Sequence, residues 1–175
     1  MAGSDREAEE QERARVYALV AALLMVPDGA LLDALALIPP PEAPGTEFAR
    51  AWTALLQAAA RCGHAALAEH DLLFGPGSAP PVDDRLGALC ESMALLVRQQ
   101  RPPAVQRAYF DAHLAGRWRW WLARIEERPG ADFYRAVTRF ARAFLAVEEQ
   151  AFALVPPGQL PIAPIRTRKT PSPLS

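Results

Sequence analysis

The sequence predicts an all-α fold, a single-domain helical bundle of about seven helices with a flexible C-terminal tail. Three observations carry this. Apolar residues return at helical spacing in segment after segment, no segment shows the strict alternation of a half-buried strand, and clusters of proline and glycine punctuate the chain at intervals suited to helices. With 175 residues, 19.1 kDa and 51% hydrophobic content, the chain is long enough to bury one real core.

Each element has its own warrant. The first helix, placed at 5–26, repeats Tyr17, Val20 and Leu24 on one face and stops at Pro27-Asp28. A short helix at 28–37 runs into IPPPEAPG, Ile38 to Gly45, and a third at 46–61 ends before Gly63. A fourth at 64–74 meets the loop from Gly75 to Pro81. The fifth, 83–100, carries Leu86, Leu89, Met93 and Leu96 and ends before Pro102-Pro103. The sixth is read as one helix over 103–127, with Phe110, Leu114, Arg117 and Trp121 on one face, closed by Pro129-Gly130. The seventh, 131–154, has the clearest apolar stripe: Phe133, Val137, Phe140, Phe144 and Val147. Beyond Val155 the text PPGQLPIAPIRTRKTPSPLS is proline-rich and without period, so the helical domain is set at 1–155 and a mobile tail at 156–175.

Composition excludes several classes. Cys62 and Cys90 form no CxxC and no repeated spacing, which argues against a disulfide framework or zinc ribbon and for a reducing compartment. The longest apolar run, Val16 to Val26, is too short to span a bilayer and follows fifteen residues rich in Glu and Arg, so a cytoplasmic location without stable membrane insertion is expected. Net charge is −1, yet residues 1–92 carry −8 and residues 93–175 carry +7. This partition lets the halves attract across one fold or offers an acidic site to a basic partner. The arginines from Arg117 to Arg142 are spread around helices and no DNA- or RNA-binding signature is present, so no nucleic-acid partner is expected.

No catalytic arrangement emerges. His64, His70 and His113 make neither HExxH nor an i,i+4 pair, and Cys62-x-His64 lacks the further ligands that zinc needs, so no metal and no cofactor is expected. No serine has a GxSxG setting, and both cysteines sit in apolar helical text. Gly75-Pro76-Gly77 has no strand before it and no Lys-Ser/Thr after it, so it is a turn and not a P-loop. Asp83-Asp84 reads first as a helix cap. What does stand out is EHDLLFGPGSAPPVDDRL, residues 69–86. There Leu72, Leu73 and Phe74 abut a Gly-Pro-Gly turn, two prolines and two aspartates, the makings of a shaped, partly apolar mouth.

Four pieces of text in this order, RARVYALVAALLMVPDGALLDAL, then EHDLLFGPG with APPVDDRLGALCESMALL, then QRAYFDAHLAGRWRWWLARI, then ADFYRAVTRFARAFLAVEEQAF, resemble the TorD/DmsD redox-enzyme maturation chaperones over about residues 13–152. The resemblance implies a non-enzymatic cytoplasmic chaperone, a monomer or homodimer. Its partners would be the apo catalytic subunit of a molybdenum- or tungsten-containing oxidoreductase and its leader peptide, commonly a twin-arginine signal followed by an apolar stretch. On that reading Leu72, Leu73, Phe74, Pro76 and Pro81 offer apolar contacts, Glu69, Asp71, Asp83 and Asp84 accept from guanidinium groups, and Arg85 closes the segment. His113, Arg117 and Trp118 form a possible secondary site, although packing alone explains most of their pattern. Two departures stand: the Asp-His pair many relatives carry after the loop is Asp84-Arg85 here, and the loop is shorter than usual. The other reading of the same periodicity is a helical protein-protein adaptor with no molybdoenzyme client.

Overall fold

The computed structural model describes residues 2–25, 27–75 and 86–157. All their regular structure is helical: α1 (Ala2–Met25), α2 (Gly29–Leu37), α3 (Glu47–Cys62), α4 (Ala65–Phe74), α5 (Leu86–Arg98), α6 (Pro103–His113), α7 (Trp118–Glu126) and α8 (Asp132–Ala153). Among the described residues eight helices stand where the sequence predicts seven, because the segment read as 103–127 breaks at Leu114–Arg117. Gly116 takes φ 73 there, a left-handed turn that a helix cannot continue through. The break also turns Arg117 to solvent, away from the face it was expected to share with Phe110 and Leu114.

Helix α8 is the axis of the bundle. Its stripe Phe133, Val137, Phe140 and Phe144 is buried as expected, joined by Tyr134, Ala141, Leu145 and Phe152. Val147 departs from that stripe: it is 53% exposed. Helices α3 and α7 pack along α8, while α5 packs along α1. Phe140 touches both Phe48 and Trp52, with ring centroids 5.4 Å apart in each case. The α1/α5 contact is close because Gly87 has no side chain; a Cβ there would lie 2.5 Å from Cγ of Met25. The two chain ends of the bundle run antiparallel. Arg13 meets Glu148, Tyr17 meets Phe144 at 4.7 Å, and the Tyr134 hydroxyl donates to the Leu23 carbonyl at 2.7 Å.

Local signals fix several helix ends. Asp28 accepts from the Leu31 amide at 2.7 Å and Thr46 from the Ala49 amide at 3.1 Å, each satisfying a donor the first turn leaves unpaired. Pro103 opens α6, where its missing N–H costs nothing. Among the described residues no helix is long and apolar enough to cross a membrane.

Candidate functional site

Three of the expected mouth residues, Glu69, Leu73 and Phe74, are tied into the bundle. Leu73 and Phe74 belong to the core, Phe74 edge-on to Tyr134 at 5.5 Å, so their side chains are not the open contacts expected of them. Glu69 is turned inward as well. Its two carboxylate oxygens accept from the amides of Phe133 at 3.1 Å and Tyr134 at 2.9 Å, the second and third residues of α8. Because Ala131 caps α8 without a side-chain acceptor, Glu69 performs from α4 the task an N-cap side chain usually performs locally. Arg128 donates to the Leu73 carbonyl and holds the C-terminal end of α4. Leu72 and Asp71 are exposed, whereas Pro76, Pro81, Asp83, Asp84 and Arg85 lie outside the described residues.

The secondary candidates divide in the same way. Trp118 is buried with Arg119 stacked on its ring at 4.0 Å, and His113 lies against Tyr109 at 4.6 Å. Both serve packing, while Arg117 faces solvent. Cys90 is fully buried and burial pushes its thiol pKa up, which leaves it an inert core group. Among the described residues no group of three or more His, Cys, Asp or Glu side chains is placed to hold a metal ion.

A different concavity emerges from residues far apart in the chain. A groove of about 670 Å³ lies between α1 and the second half of α8, and the starts of α3 and α6 also line it. Val16, Phe48, Phe144, Val147, Ala151 and Phe152 make an apolar floor. Arg6, Glu9, Glu10, Glu12 and Arg13 form the wall on α1. Val147 is exposed because it faces this groove, which accounts for its departure from the core stripe.

One wall rests on a buried ionic cluster. Glu148 is 3% exposed and takes both Nε and Nη2 of Arg13 at 2.8 Å, plus the Tyr17 hydroxyl at 2.8 Å. A carboxylate this deep needs such partners, and the bidentate fork fixes α1 against α8 in one register. Burial, then the Glu148 charge, raise the Tyr17 pKa well above its ordinary value, so its hydroxyl remains a donor. For Arg13 burial pulls down, but the hydrogen bond and charge of Glu148 outweigh it and the pKa rises. Arg13 also lies 5.2 Å over the Phe152 ring, joining the cluster to the groove floor. Sequence reading passed over this site because its wall is the polar start of α1, whose run of Glu and Arg reads as a solvated face.

Compared with protein-family models, with curated proteins and with solved structures, the chain matches none. The resemblance to the TorD/DmsD chaperones therefore rests on the four sequence pieces alone.

Proposed function

We propose that the chain is a non-enzymatic chaperone. In this reading it binds, in the cytoplasm, the leader peptide and apo form of a molybdenum- or tungsten-containing oxidoreductase and assists cofactor insertion and maturation before export or assembly. The observation that supports it best is the groove itself: an apolar floor suited to aliphatic side chains beside an α1 wall carrying Glu9, Glu10 and Glu12. A leader with paired arginines before an apolar stretch has the complementary layout. Aliphatic burial on the floor would supply most of the affinity, about 1.5–3 kcal/mol for each fully buried Leu or Val. The acids would set orientation through charge-assisted hydrogen bonds. On this reading the peptide lies in the α1/α8 groove, whereas the sequence alone points to Leu72–Arg85.

Calorimetric titration with a peptide carrying Arg-Arg followed by an apolar stretch tests the reading. Val147→Glu, at an exposed floor position, should weaken binding at least about tenfold at every salt concentration. Glu9→Gln with Glu12→Gln should weaken it less and flatten its salt dependence. If neither change alters the affinity while Leu72→Glu abolishes it, the groove is the wrong site. Copurification of a cofactor-free molybdoenzyme subunit on coexpression tests the client class, and its absence would favour the adaptor reading.

A further inference from the structure

We propose that the groove carries its own competitor: residues 159–169 of the same chain, QLPIAPIRTRK, lie along it with Leu160, Ile162 and Ile165 on the floor and the basic residues against α1, and a client leader binds by displacing them. This regulation rests on the peptide-binding reading of the groove.

Four observations lead to this segment. The first is its point of departure. Val155 lines the groove, and Arg107 of α6 donates to its carbonyl, so the residues that follow begin at the groove edge. Reach is the second. The antiparallel pairing of α1 with α8 brings the end of α8 beside the acidic turns of α1. The stretch of α1 from Arg6 to Val16 covers roughly 15 Å at 1.5 Å per residue. A ten-residue segment in polyproline II geometry would reach about 31 Å, twice that span.

Charge is the third. The lining holds four carboxylates, Glu9, Glu10, Glu12 and Glu148, against the guanidiniums of Arg6 and Arg13, leaving a net −2. Glu148 is consumed by Arg13, Glu10 pairs with Arg6 at 3.4 Å and Glu12 pairs with Arg15, but Glu9 makes no ion pair among the described residues. Arg166, Arg168 and Lys169 place three positive charges within four residues, the densest basic run in the sequence. The fourth is hydrogen-bond balance. Pro161 and Pro164 remove two N–H groups from the segment, which lowers the cost of laying its backbone on an apolar floor. At the α6 end, Gln106 is 1% exposed; its Nε2 donates to the Arg101 carbonyl at 2.7 Å, while its Oε1 has no partner. That acceptor suits a backbone N–H of the incoming segment.

Lys169 is the sequence's sole lysine, which makes the test sharp. Zero-length carbodiimide coupling of the full chain should join Lys169 to Glu9, Glu10 or Glu12 within one molecule, with a yield independent of protein concentration. An amine- and carboxyl-blocked Arg-Arg leader peptide should suppress that product. In the full chain carrying Arg166→Glu and Arg168→Glu, the same peptide should bind about fivefold tighter, as expected when an intramolecular competitor at millimolar effective concentration is released. Coupling of Lys169 only to other carboxylates, or only between chains in a concentration-dependent way, would overturn the proposal. The two readings fail separately: coupling to α1 without any peptide binding would sink the client reading and leave the tail contact standing. Equal peptide affinity in the parent and the charge-reversed chain, with no α1 coupling, would do the reverse.

Discussion

Glu148 shows what one buried carboxylate demands of its neighbours. At 3% exposure it would be costly alone, and Arg13 and Tyr17 between them supply three short hydrogen bonds. Tyr17→Phe keeps the ring that packs edge-on to Phe144 and removes only the hydroxyl donor. Thermal or urea unfolding should therefore show a loss of about 1.5 kcal/mol, the lower end for a hydrogen bond to a charged group, because Arg13 still neutralises the carboxylate. The pH dependence follows from the raised Tyr17 pKa. A group whose folded pKa lies above its unfolded value stabilises fully below the unfolded value and loses that contribution as pH rises. With the unfolded tyrosine near 10, the parent should lose stability above about pH 10 more steeply than Tyr17→Phe. Some alkaline loss should persist in the variant, since burial raises the Tyr134 pKa as well.

At the scale of elements, α8 owes its start to a residue 64 positions earlier. Glu69→Ala removes both acceptors from the amides of Phe133 and Tyr134, and no local side chain replaces them. A loss of about 1–2 kcal/mol is expected, with faster amide exchange confined to the first turn of α8; Glu69→Gln should retain part of the cap. The sequence alone presents Glu69 as an acceptor for a ligand's guanidinium, since nothing local marks a contact across that distance. The α8 stripe itself was legible because its period is set by 22 consecutive residues. The break between α6 and α7 is hidden in the sequence for the same reason: Phe110, Leu114 and Trp121 keep a helical spacing across Gly116, and that period outweighs the glycine. The groove is illegible in the sequence because its walls come from residues as far apart as Arg6 and Val155, and its one local trace, Val147, falls in the period of the core stripe.

For the whole molecule the question is where the −8 of residues 1–92 and the +7 of residues 93–175 meet. Among the described residues only two ion pairs join the halves, Arg13–Glu148 and Glu47–Arg139, and the first runs against the partition. Most of the acidic excess is thus left on the surface, much of it on the first turns of α1 beside the groove. Glu47 is the place where the partition does act inside the fold. It sits at the start of α3, accepts from Arg50 at 3.1 Å and from Arg139 of α8 at 3.2 Å, and these hydrogen bonds lower its pKa despite the exposure of its side chain. A carboxylate whose folded pKa is lowered stabilises the fold above its unfolded value and loses that contribution as pH falls. Glu47→Gln should therefore destabilise modestly at neutral pH, and the gap between variant and parent should close below about pH 4.3, where the unfolded carboxylate takes up its proton. Raising the salt concentration at neutral pH should narrow the same gap, since the pair is solvent-exposed and open to screening. A difference that stays constant in urea unfolding from pH 7 down to pH 3 would show that Glu47 acts by packing alone and that the charge partition contributes nothing across the α3/α8 contact.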